Sequence, residues 1–230
     1  MRGSQRSVAE RALSGVLRFI FRQIYHRFAW TYDSVALGVS LGRWYDWTYA
    51  VLPFVTGPRI LEIGHGTGRL FSRLSRAHRL VVGLDGSRQM AALARNRIRV
   101  PNHAPPMLVR GLAQYQPFNS GQFDCVVATF PTEFIFEPTT ISEIHRVLEP
   151  GGRLLVLPVA WILGRTWMDR VAAWLFSVTR QVPPSPEQTI ELRLLQPLRA
   201  AGFQADMQRL EVRASIVLLV LASKVSALPG

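Results

Sequence analysis

The chain has 230 residues, 48% apolar and 18% charged, which suits one domain with attachments and a core that needs no staples. The apolar share excludes disorder, the single cysteine, Cys125, excludes an internal disulfide scaffold, and no apolar run approaches the roughly 18 residues of a membrane span. The net charge is +12 and almost all of the basic residues are arginines, Lys224 being the one lysine, so an anionic lipid surface, a nucleic acid and an acidic substrate all stand as partners.

Residues 1–50 read as a basic, amphipathic and aromatic helical cap. Leu13, Val16, Leu17, Ile20 and Ile24 share one helical face, with Arg11, Arg18 and Arg22 opposite. Such a helix either lies in an anionic membrane interface or packs on the domain, and both readings stay open. Arg18 and Arg22 interrupt what would be the apolar stretch of a signal peptide, whereas an Arg-rich transit peptide stays open.

From residue 51 the pattern alternates. Arg59–Ile63 is predicted as a strand, Gly68–Ala77 as a helix, Leu80–Leu84 as a second strand and Ser87–Arg99 as a second helix. Met107–Arg110 and Phe123–Thr129 follow as strands, and Cys125 is expected to be buried in the latter. Thr139–Leu148 is predicted as a helix stopped by Pro150-Gly151-Gly152, then Arg153–Val159 as a fifth strand. Strands apolar on both faces and separated by helices predict a doubly wound α/β fold with a parallel sheet. Residues 161–200 are expected to form a helical insertion capping the substrate. Phe203–Glu211 and Ser215–Ser223 are too close in sequence for a parallel crossover, so they are predicted to be antiparallel. Charge follows this order: residues 69–110 hold nine arginines against Asp85 alone, while residues 111–230 balance.

The sharpest local signal is Glu62-Ile63-Gly64-His65-Gly66-Thr67-Gly68, directly after the first strand. Glycines let the backbone turn tightly and let a ligand approach the peptide groups, and the next helix offers free N–H groups at its start. Asp85 ends the second strand, where a carboxylate can accept bonds from both hydroxyls of a ribose. The third glycine comes one residue early for the dinucleotide fingerprint. Glu62, two residues before the first glycine, would repel a phosphate and attract an ammonium. S-adenosylmethionine, which has an ammonium and a ribose but no phosphate, fits these features.

At this point the sequence resembles the class I S-adenosylmethionine-dependent methyltransferases. Glu62 to Gly68 is similar to their first motif, Asp85 to their ribose-binding acid, Gln122-Phe123-Asp124-Cys125-Val126-Val127 to the start of their fourth strand, and Glu143 to Gly152 to their E-x-x-R-V-L-x-P-G-G block. The resemblance implies a seven-stranded Rossmann-like sheet of order 3-2-1-4-5-7-6 with strand seven antiparallel, and S-adenosylmethionine as cofactor with S-adenosylhomocysteine as product and no metal. Carried over residue by residue, it places Gly64, His65, Gly66, Thr67 and Gly68 along the methionyl part, Glu62 beneath it and Asp85 on the ribose. Gly86, Ser87 and Met90 would flank the adenosine, with Leu112, Ala113 and Gln114 near the adenine and Thr129 and Phe130 at the end of the fourth strand. Leu112 stands where many relatives have an aspartate, leaving Gln114 or backbone groups for the adenine amine.

Phe28-Ala29, Tyr32-Asp33, Ser40-Leu41-Gly42 and Trp44 resemble the opening of ubiquinone/menaquinone biosynthesis C-methyltransferases, shared in part by phospholipid N-methyltransferases. In those families this segment folds over the cofactor, which implies a contact from Tyr25 or Tyr32. All six tryptophans are expected outside the core, in Trp30, Trp44 and Trp47 and in Trp161, Trp167 and Trp174. The two groups are placed to roof the ligand edge of the sheet and point to a hydrophobic small-molecule substrate such as a quinone or lipid. An N-P-P-[YF] tetrapeptide is missing after the fourth strand, which speaks against amino methylation of nucleobases.

Methyl transfer from a sulfonium needs orientation and desolvation first; if the acceptor must lose a proton, His26, Tyr25 and Glu133 are the candidate bases. No Cys/His cluster has metal-ligand spacing. Two alternatives remain at this stage: a methyltransferase of RNA or protein using the arginine-rich face, and a non-catalytic accessory protein retaining the fold. The expected location is cytoplasmic, peripheral on the inner face of the membrane if the basic cap binds lipid.

Overall fold

The structure, a computed structural model, describes residues 40, 42–77, 80–98, 106–163 and 187–225. Among these residues eight strands form one sheet: β1 (Arg59–Ile63), β2 (Leu80–Asp85), β3 (Met107–Arg110), β4 (Phe123–Thr129), β5 (Leu148–Leu157), β6 (Ala160–Ile162), β7 (Phe203–Glu211) and β8 (Ser215–Lys224). Neighbours run β3-β2-β1-β4-β5-β8, the first five parallel and β8 antiparallel to β5. β7 pairs along almost all of β8, so β5 and the short β6 share the other edge of β8. Counting β6 as the continuation of β5 gives the expected order 3-2-1-4-5-7-6, with the last strand antiparallel.

β6 is a correction to the sequence reading, because Trp161 lies in a strand pairing with Ile216 and not in a helical insertion. β5 also begins earlier than expected. Leu148 pairs with Phe123 before the register slips to Cys125 and Arg153, so Pro150-Gly151-Gly152 forms a bulged lead-in that does not break the strand.

Among the described residues five helices cover the sheet: α1 (Trp44–Tyr49), α2 (Arg69–Ala77), α3 (Arg88–Ile98), α4 (Pro138–Val147) and α5 (Glu187–Ala200). α2 starts one residue later than expected, since Gly68 has a φ of +78° and cannot be helical. α3 starts after Ser87, whose hydroxyl accepts from the Met90 N–H at 3.2 Å as an N-cap. α1 and α2 pack on one face through Trp47, Leu70, Phe71 and Leu74, joined by Ile98 of α3. α4 and α5 pack on the other through Ile141, Ile144, Val147, Leu195 and Leu198. Each large side chain fully buried this way contributes about 1.5–3 kcal/mol.

Trp47 corrects a second expectation: it is 1% exposed and belongs to the core. Cys125 is buried in β4 as expected, and burial pushes its thiol up to about 12, so it is inert. At the N-terminal end of the sheet, Arg59 bonds both Asp124 and Glu149 and donates its own N–H to Asp124 at 2.6 Å. This tethers the ends of β1, β4 and β5 on the side away from the glycine loop.

Candidate active site

The C-terminal ends of β1, β2 and β4 meet at the glycine loop. Gly64, Gly66 and Gly68 all have positive φ, +74°, +52° and +78°, a region that favours glycine. They serve different purposes. A Cβ on Gly64 would meet nothing within 4 Å, so the loop leaves open space there. A Cβ on Gly68 would lie 2.8 Å from the Ala94 Cβ and 2.7 Å from Ile98, so this glycine lets α3 close on the loop. The Arg97 guanidinium braces the same turn by donating to the Thr67 carbonyl at 2.8 Å.

Asp85 holds the loop to β2. Its two carboxylate oxygens accept the N–H groups of Gly66 at 2.9 Å and Ser87 at 2.8 Å. A carboxylate has about four lone-pair sites, so each oxygen keeps capacity for one further donor. Glu62 is 2% exposed, and its Oε2 has no hydrogen-bond partner. Burial first, and the charge of Asp85 second, push its carboxyl well above the ordinary range. A buried carboxylate without a counter-charge is costly, and an ammonium placed in the open loop would supply what Glu62 lacks.

His65 is buried between these groups and the sheet. Its Nδ1 lies 2.9 Å from the Gly66 carbonyl, which only accepts, so Nδ1 carries the proton. Burial outweighs the attraction of Asp85 and lowers its pKa, keeping the ring neutral. The ring needs Gly83 in β2: a Cβ there would sit 3.0 Å from His65 Cδ2 and 3.1 Å from Phe71. Sequence reasoning missed Gly83, although a glycine inside an apolar strand signals close approach of a neighbour.

An aromatic wall stands at the end of β4. The Phe130 ring lies 4.6 Å from Trp44 and 6.3 Å from Trp47, centroid to centroid. Phe130 has φ of +49°, unusual for a bulky residue, and its N–H is held by the Leu157 carbonyl at 2.7 Å. α1 is fixed above by Arg69, whose guanidinium lies 4.0 Å from the Tyr45 ring centroid.

The remaining predicted residues divide. Gly86 and Leu112 adjoin, the Leu112 side chain lying 3.7 Å from where a Gly86 Cβ would be, and Leu112 is exposed. Met90 and Ala113 are buried. Gln114 donates to Glu137 at 2.9 Å, which engages its amide. Thr129 ends β4, and Glu133 opens a 3-10 turn, Glu133–Phe136, beyond it. Tyr25, His26 and Tyr32 lie outside the described residues, as does the first amphipathic helix. Among the described residues no cluster of His, Cys, Asp and Glu could hold a metal ion, and no helix is long and apolar enough to cross a membrane.

Comparison with known proteins agrees with this geometry. Residues 61–156 match the methyltransferase domain family. An uncharacterised methyltransferase of Synechocystis is 32% identical over 165 residues, 68% of this chain and 71% of its own length. A ubiquinone/menaquinone biosynthesis C-methyltransferase of Blochmanniella floridana is 28% identical over 149 residues, 60% of this chain. This chain spans only 58% of that relative's length. A solved S-adenosylmethionine-dependent methyltransferase from Thermotoga maritima has the same fold, with a TM-score of 0.60 at 21% identity over 88% of this chain and 98% of its own. The sheet order, the glycine turn after β1, the acid that ends β2 and the matched relatives agree: the chain belongs to the class I S-adenosylmethionine-dependent methyltransferases.

Proposed function

We propose that this protein transfers a methyl group from S-adenosylmethionine to an apolar small molecule of the quinone or lipid kind. The observation that carries the donor is the buried, unpartnered oxygen of Glu62 beside the open space over Gly64. In this reading Glu62 takes the ammonium, and Gly64, His65, Gly66, Thr67 and Gly68 border the methionyl part. The remaining lone pairs of Asp85 hold the ribose. Gly86, Ser87, Leu112 and Ala113 flank the adenosine, and Gln114 reaches the adenine amine only by releasing Glu137. The aromatic pair of Trp44 and Phe130, backed by the buried Trp47, supports an apolar acceptor, and the name of the Blochmanniella relative points the same way.

When bound, the donor supplies a methyl group already activated on a sulfonium. What this chain adds is placement. The glycine turn fixes the approach, the wall at the end of β4 excludes water from the acceptor side, and neutral His65 holds the loop through Gly66. Proton removal, where the acceptor requires it, falls to His26, Tyr25 or Glu133.

Two measurements test the reading. Calorimetry with S-adenosylmethionine and S-adenosylhomocysteine is expected to show binding; no heat at millimolar ligand would refute it. Mass spectrometry of lipids and quinones from cells with and without the gene is expected to show a species differing by one CH2 group. An unchanged lipid and quinone profile alongside cofactor binding would refute the acceptor class alone.

A further inference from the structure

The two faces of the sheet carry different charge. α2 and α3 together hold six arginines and no acid, and the only carboxylate between Gly68 and Arg110 is Asp85, buried and bonded to Gly66 and Ser87. α4 and α5, across the sheet, hold three arginines and three glutamates. A general preference for arginine would load both faces. Here the excess sits on one, and Arg73, Arg76, Arg88, Arg95 and Arg97 are exposed on it.

This face adjoins the mouth of the site. Arg69 and Arg73 lie over the rings of Tyr45 and Tyr49, at 4.0 Å and 5.1 Å from the centroids, and so join the basic helices to α1. α1 in turn packs against Phe130 through Trp44. Proteins that track single-stranded nucleic acid place exposed aromatics among their cations for base stacking. Among the described residues the exposed aromatic is Tyr115, on the loop after β3 and on neither basic helix. A broad, acid-free arginine face without exposed rings for base stacking instead suits a bilayer, whose anionic headgroups lie in a plane.

The geometry points to a docking face for an anionic phospholipid bilayer, formed by α2 and α3, that brings the α1 mouth of the active site to the lipid surface. It goes beyond the proposed acceptor and is read without turnover, so either can fail alone.

The test is flotation of the full chain with phosphatidylglycerol–phosphatidylcholine vesicles and with phosphatidylcholine alone. At about 0.1 M salt, where charges are felt over roughly 10 Å, the protein is expected to float with the anionic vesicles only, and to be released at about 1 M. Each neutralised arginine is worth roughly fivefold in partition. The triple change Arg76→Gln, Arg88→Gln, Arg95→Gln is therefore expected to weaken binding about a hundredfold, with unchanged thermal unfolding. Arg193→Gln with Arg209→Gln, away from α2 and α3, is expected to leave binding intact. If the triple variant unfolds, the three single variants, each expected to lose about fivefold, replace it. Failure to float, equal binding to neutral vesicles, binding that survives the arginine changes, or tighter binding to an RNA oligomer than to anionic vesicles at the same salt would each overturn the inference.

Discussion

Glu62→Gln separates the roles of burial and charge at the glycine loop, because it keeps the shape of the side chain and removes its titration. In the unliganded protein the Glu62 carboxyl is held well above its ordinary range by burial and then by Asp85. Above the free-carboxyl value of about 4.3 the unfolded chain has lost a proton that the folded chain still binds. Stability therefore falls as pH rises, by up to about 1.4 kcal/mol per unit, until Glu62 itself ionises in the folded state; below the free-carboxyl value the contribution is constant. Glutamine lacks this slope. Urea unfolding without ligand at pH 5, 6 and 7 should show the variant gaining on the wild type as pH rises. Cofactor binding should move the other way. A hydrogen bond to a charged group is worth about 1.5–3 kcal/mol, so S-adenosylmethionine and S-adenosylhomocysteine, which both carry the ammonium, should bind roughly 10- to 150-fold more weakly to the variant. Methylthioadenosine keeps the nucleoside and sulfur but lacks the amino acid, and should bind both proteins alike. Parallel stability curves, or equal losses for all three ligands, would refute the assignment.

The loop glycines should divide by function. Gly68→Ala combines a left-handed backbone, about 1–2 kcal/mol, with overpacking against Ala94 and Ile98, about 1–3 kcal/mol, so its thermal midpoint should fall well below that of Gly64→Ala. Gly64→Ala carries the same backbone strain, about 1–2 kcal/mol, but meets no neighbour, so by calorimetry it should lose cofactor affinity beyond that shared cost. Trp44→Ala, Phe130→Ala and the double change should show a coupling of about 0.5–1.5 kcal/mol in denaturant unfolding, as for packed aromatic pairs; strict additivity would mean that the wall is not a unit.

The parallel core was legible because its strands are apolar on both faces, a pattern that Val81 to Leu84 and Cys125 to Ala128 show without interruption. Glu62, Asp85 and the three glycines were legible because their types are unusual at strand ends. Less visible were features that depend on what crosses over them. Trp47 looked like a surface aromatic because nothing local shows that α1 folds onto Leu70 and Phe71. β6 was hidden because three residues, Ala160–Ile162, carry no pattern of their own and are strand only by pairing with β8. The separate purposes of Gly64 and Gly68 also escaped the motif, since it takes the position of α3 to show that one glycine faces open space and the other faces Ala94.

Glu62 also ties the cofactor to the proton. If the unliganded carboxyl keeps its proton because it is buried without a counter-charge, then an arriving ammonium must displace that proton to make its ion pair. Binding and deprotonation then become one event. Affinity should rise with pH by up to about tenfold per unit until the unliganded carboxyl ionises, and level off above that. Calorimetry in buffers of different ionisation enthalpy counts the protons directly. The wild type should release more protons on binding than Glu62→Gln does, by up to one per cofactor, and the difference should shrink as pH rises. Identical proton counts for the two proteins across the range would show that Glu62 is already ionised in the empty loop, and its unpartnered oxygen would then need another explanation.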